Sequence, residues 1–112
     1  MKQHITVEQA KELGQKTIGN LGESFYSAMY FYSKLEHEPR WDFAANLMTI
    51  GKMIEILGNK VNAIVPIVKD KKVVFWSVYL LYDNMEMSIG FEAIELADAL
   101  FEAVKYVLGV EE

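Results

Sequence analysis

Four carboxylates near the end of the chain, Glu92, Glu95, Asp98 and Glu102, recur every three or four residues and are followed by Lys105. At that spacing they fall on one side of a helix. Paired carboxylates can serve as general acid and base, but only in a pocket that moves one of their pKa values toward the working pH. A solvent-facing row supplies no such pocket. What remains is an acidic surface read by a basic partner, including a mimic of nucleic-acid charge, or a row that only keeps the helix solvated. The net charge of −5, from 16 acidic and 11 basic residues, is small for a charge mimic.

Other residue types with chemical potential are sparse. His4 and His37 are the only histidines, and Glu36-His37-Glu38 offers imidazole and carboxylate groups. Neighbours in one loop rarely converge on a metal, and a structural zinc wants about four N or S ligands. With no cysteine in the chain, disulfides, thiol catalysis and Cys-ligated metal centres are excluded. Ser24, Ser27, Ser33, Ser77 and Ser88 sit in no nucleophile elbow. Gly19-Asn20-Leu21-Gly22-Glu23 lacks the lysine and the preceding strand of a phosphate-binding loop, and reads as one helix ending and another beginning. The expectation is a protein that is not an enzyme and needs no metal or other cofactor.

The aromatic residues carry more information. Phe25, Ala28, Met29, Tyr32 and Leu35 make a sufficient buried stripe for one helix, yet Tyr26, Tyr30 and Phe31 spread aromatic surface around the rest of it, with Trp41 and Phe43 following. A helix apolar nearly all round is either central to the fold or part of an interface. Both readings stay open, and Tyr enrichment at contacts makes Tyr26, Tyr30 and Phe31 candidates for binding a partner or a second copy. Glu92, Glu95, Asp98 and Glu102 are the other candidates.

The elements that must position these residues follow from periodicity. Thr6 with Gln9 is a capping box opening a first helix through Val7, Ala10 and Leu13, weakened at Gly14 and stopped at Gly19-Asn20. Asn20 with Glu23 opens the aromatic helix, which ends before Pro39. From Trp41 the pattern does not choose between strand and helix. Thr49 caps a third helix closed by Gly58-Asn59. Two β-branched runs, Ala63 to Val68 and Val73 to Tyr82, joined across Lys69-Asp70-Lys71-Lys72, predict a hairpin with Pro66 on an edge strand or at a bulge. Val74, Trp76, Val78 and Leu80 form its more apolar face. Met85-Glu86-Met87 can add a short third strand, and an amphipathic helix runs from about Phe91 to Gly109. Trp76, Val78, Leu80, Leu100, Val104 and Leu108 should be buried together. Met1 to His4 and Val110 to Glu112 lack an apolar pattern and should be loose.

The fold class expected is a single small α+β domain over residues 1–112: N-terminal helices, an antiparallel hairpin or three-stranded meander, and a C-terminal helix packed on the sheet. Composition sets the remaining bounds. The 52% hydrophobic content lies far from the regime of disorder. The only basic cluster, Lys69, Lys71 and Lys72, is interrupted by Asp70, which argues against direct nucleic-acid binding. No apolar run approaches the roughly 20 residues of a membrane span, and the N-terminus lacks the apolar core of a secretory signal. A cytoplasmic protein is expected.

Leu47 to Leu57, Trp76 to Leu80 and Leu96 to Leu108 resemble the C-terminal half of small uncharacterised proteins of phages and prophages of Gram-positive bacteria. The match covers roughly residues 47 to 108, mostly core positions, and Phe25 to Phe43 departs from it, being more aromatic than that family's usual polar segment. The resemblance implies a phage-derived protein in a bacterial host cell. It implies as partner a host factor, such as a CRISPR nuclease or another defence enzyme, which would make the protein an anti-CRISPR or other anti-defence inhibitor. The alternatives are a structural or regulatory homodimer joined through the aromatic helix, and a small-ligand-binding or enzymatic domain.

Overall fold

The computed structural model describes residues 1–22, 40–82 and 87–109. Its elements run α1 (Val7–Asn20), α2 (Trp41–Leu47), α3 (Ile50–Leu57), a 3-10 turn (Gly58–Lys60), β1 (Val61–Lys69), β2 (Lys72–Tyr82), β3 (Met87–Ala93) and α4 (Leu96–Leu108). The strands form one antiparallel sheet in the order β1-β2-β3, with α4 packed on it, so the α+β architecture expected from the sequence is the one observed.

Local chemistry sets most boundaries. The Thr6 side chain accepts from the Gln9 N–H and the Gln9 side chain accepts from the Thr6 N–H, a complete capping box. Gly14 does more than weaken α1: with φ 79 and ψ 159 it breaks the helix into two segments, a conformation that only glycine adopts without strain. Thr49 caps α3 through the Lys52 N–H, and Gly109, at φ 70, ends α4. The stretch after Trp41 is helical, because Ala44 and Ala45 are small enough to bury that side against α1. Asp70 and Lys71 both adopt positive φ, 53 and 64, as a two-residue hairpin turn needs in order to follow the strand twist. Pro66 lies in the edge strand β1, where its missing N–H costs no central ladder bond, and the register is irregular between Val61 and Ala63 and between Ile67 and Val68.

Three expectations are corrected. The last helix begins at Leu96, not Phe91, because residues 87–93 supply the ladder partners for the second edge of β2, from Trp76↔Ala93 to Tyr82↔Met87. The N-terminus is tied down: Ile5 is buried and donates its N–H to Met48 O, His4 bridges to Thr49, and Gln3 O accepts from Ile50. In the expected core, Val78, Leu80, Leu100 and Val104 are fully buried, while Trp76 and Leu108 are only partly buried against it.

α4 is the centre of the molecule. It packs on β2 and β3 and also against α3 and α1, with Leu96, Ala97, Ala99, Leu100, Phe101, Ala103 and Val104 buried. A helix covered on so many sides reads as a core helix rather than an amphipathic surface one. Among the described residues no helix is long and apolar enough to cross a membrane.

Candidate protein-binding surface

Strand length against helix length creates the most distinctive surface. An 11-residue strand spans about 36 Å and a 13-residue helix about 20 Å, so β2 must outrun α4. It also outruns β3, whose pairing with β2 stops at Trp76. Beyond that point, among the described residues, only β1 accompanies it, through Ile67↔Phe75, Val68↔Val73 and Lys69↔Lys72. The result is a two-stranded ribbon projecting past the third strand and the helix. Burial along one side of β2 follows this geometry: Leu80 and Val78 are sealed, Trp76 is half-buried and Val74 is 40% exposed.

The ribbon carries apolar and cationic groups together. Val68 is 58% and Val73 48% exposed, and they flank Lys69, Asp70, Lys71 and Lys72, which are exposed as well. Three lysines against one aspartate make this tip positive on a chain whose net charge is −5. Exposed β-branched residues clustered on a projecting element mark contact surfaces more often than scattered single ones do. Chemically the ribbon can insert apolar side chains and place ammonium groups around them. Its ionisable groups are Asp70 and the three lysines, all exposed.

The carboxylates singled out from spacing go elsewhere. Glu92 is not on the last helix: it lies in β3, opposite Ser77, whose fully buried hydroxyl donates to Glu92 Oε1 at 3.3 Å. The row therefore does not exist as a single helical face. Glu95 is the residue before α4 and accepts the Lys2 backbone N–H at 3.1 Å. Asp98, in the first turn of α4, pairs with the Lys2 ammonium and accepts from Gln9 Nε2 at 2.9 Å. Gln9 Oε1 accepts from both Lys2 Nζ and the Thr6 N–H, so one side chain caps α1 and joins it to α4.

Glu102 completes this seam from the other end. Lys105, only 8% exposed, lies 3.2 Å from Glu102 and 3.5 Å from Glu12 of α1, with its ammonium over the Phe101 ring at 5.2 Å. Burial works to lower the Lys105 pKa, but the Glu102 and Glu12 carboxylates outweigh it and hold the pKa above its ordinary value. Glu95 and Asp98 thus clamp α4 to the N-terminal segment, while Glu102 pairs within α4 with Lys105, whose ammonium reaches Glu12 of α1. Their geometry gives them a structural task inside the chain.

Tyr26, Tyr30 and Phe31 lie outside the described residues, as does the Glu36-His37-Glu38 loop. His4 Nδ1 is 2.7 Å from Ile5 O. Among the described residues, no three of His, Asp or Glu come together in a way that could hold a metal ion.

The chain matches no known family model, curated protein or solved structure.

Alternation in the sequence places Val74 on the core face with Trp76, Val78 and Leu80, but it is 40% exposed, and Val68 and Val73 carry no binding signal in the sequence because β-branched residues in strands ordinarily face a core.

Proposed function

We propose that this chain is a non-enzymatic protein that acts by binding another protein, and that it seats the ribbon between Ile67 and Phe75 in a groove on its partner. The observation that carries this reading is the ribbon's surface: exposed Val68, Val73 and Val74 beside Lys69, Lys71 and Lys72, held away from the body of the molecule. A groove with an apolar floor and an acidic rim complements it. The resemblance of residues 47–108 to phage and prophage proteins makes a host defence protein, such as a CRISPR nuclease, the class of partner to try first.

Affinity capture from the host cell, followed by Kd measurement on the captured protein, tests the proposal. Lys71→Glu with Lys72→Glu, and separately Val68→Ser with Val73→Ser, should each weaken binding at least tenfold while circular dichroism stays unchanged. The loss of charge should matter most at low salt, since the Debye length falls below about 8 Å above physiological ionic strength. Full affinity in both ribbon variants, with binding lost instead on Glu92→Lys or on Tyr26→Ser with Tyr30→Ser, would overturn the ribbon as the site.

A further inference from the structure

The two faces of the projecting ribbon differ chemically, and a bulge makes them so. In β1, Ile64 and Pro66 lie opposite Val78 and Trp76, so Val68, two residues further on, continues the side that α4 covers. Val73 is directly opposite Val68 and shares that side. The register shift between Ile67 and Val68 leaves Val74 as the extra residue of β2, which gathers the three exposed valines onto the Trp76 side. The next pair, Lys69↔Lys72, faces the opposite way.

Two choices at the tip work against the hairpin's own stability. Lys69 and Lys72 stand directly opposite each other, and like charges in that relation weaken a strand pair. Lys71 holds φ 64, where a residue with a side chain is strained. Lys2, Arg40, Lys52 and Lys105 each pair with a carboxylate of the chain, whereas among the described residues Lys69, Lys71 and Lys72 pair with none. Local costs of this kind, borne on a projecting element, are the expected form of a site that is completed from outside.

We infer that the Lys69–Lys72 face is a carboxylate-binding site, which takes a short acidic segment of the protein partner whose carboxylates bridge the two ammonium groups. The inference rests on the ribbon reading above for the partner being a protein, and adds that its acidic and apolar contacts are made on opposite faces of the ribbon. Bound carboxylates cancel the repulsion between the two lysines, so the cost present in the free chain is recovered on binding. A short segment fits better than an extended polyanion. The chain has a net charge of −5 while its tip has three lysines against one aspartate, so the rest of the molecule is acidic and repels an anionic surface that spreads beyond the ribbon.

Deca-glutamate is the probe, titrated into the full chain at about 20 mM salt, where screening is weak, while backbone amide shifts are recorded. The shifts should cluster between Ile67 and Phe75 and saturate. Lys69→Glu turns the facing pair into opposite charges, so it should raise the melting temperature by about 1–4 °C and yet weaken deca-glutamate binding about tenfold or more. Lys71→Glu makes the same change in net charge outside the facing pair and should weaken binding by less than about threefold. Equal losses in the two variants would show a diffuse field in place of a site and overturn the inference. So would shifts away from the ribbon, no saturation by about 5 mM peptide, or a lower melting temperature in Lys69→Glu. A polyphosphate of the same charge that binds more tightly than deca-glutamate overturns the assignment to carboxylate. No host protein enters these titrations, so this site can fail while the Val68 and Val73 variants still lose the captured partner, and the reverse.

Discussion

A buried lysine can stabilise or only be tolerated, and Lys105 separates the two. Its partners Glu12 and Glu102 keep about half of their side chains in water, so removing the ammonium strands no buried charge. Lys105→Met, which keeps the stem packed on Phe101, should therefore cost under about 1 kcal/mol in chemical denaturation. Lys105→Glu should cost about 3–5 kcal/mol, since it puts an unpaired acid beside two others. The pH dependence follows from the raised pKa. The stability Lys105 contributes is complete below its ordinary pKa of 10.5 and is lost as pH rises through the higher folded value. Thermal melts should accordingly fall less steeply above pH 10.5 for Lys105→Met than for the wild type. Asp42 behaves in the opposite sense. Its bidentate pair with Arg40 holds its pKa below 3.8, and the small stability it adds is lost only in acid, as pH falls through that lowered value. The spacing of Glu102 and Lys105 was legible in the sequence as an i,i+3 pair. The burial of Lys105 was not, because Glu12 lies 93 residues away.

At the scale of elements, termini were easier to read than identities. Thr6, Thr49, Gly58 and Gly109 marked helix ends because capping is a local hydrogen-bond problem solved by the residue itself. By spacing alone Phe91 to Glu95 reads as helix, because Phe91, Glu95 and Asp98 fit one helical face. What decides it is the open edge of β2, a non-local demand that no window of sequence contains. Gly90 was the missed clue. A Cβ there would stand 3.0 and 3.2 Å from atoms of the Tyr79 ring, so Gly90→Ala should push that ring by a few tenths of an ångström and lower stability by about 1 kcal/mol, measurable in urea titrations. The hairpin turn offers the reverse experiment. Lys71 holds φ 64 without being glycine, and Lys71→Gly should raise the denaturation midpoint, by about 1 kcal/mol in free energy. The projecting ribbon was the least legible feature, since exposure of Val68 and Val73 depends on where β3 and α4 stop.

For the molecule as a whole, stability should be graded along the sheet. Trp76 sits where three strands give way to two, and its partial burial lowers the expected cost of Trp76→Ala to about 2–3 kcal/mol, below the roughly 3–5 kcal/mol of a fully buried aromatic. The clamp between Lys2 and α4 has a consequence for the order in which the fold assembles. Its contacts join residues 93 and 96 positions apart, whereas the hairpin closes through a two-residue turn. Loop-closure entropy grows with the logarithm of loop length, and lengthening a loop from about ten residues to about a hundred adds roughly 2 kcal/mol. The clamp should therefore close after the rate-limiting barrier. Lys2→Ala should leave the refolding rate in stopped-flow unchanged and accelerate unfolding, about fivefold for each kcal/mol lost. An equal slowing of refolding would place the clamp inside the folding nucleus. On this ordering, Lys2, Gln9 and Asp98 determine how long the native state lasts once formed, while the hairpin governs how quickly it is reached.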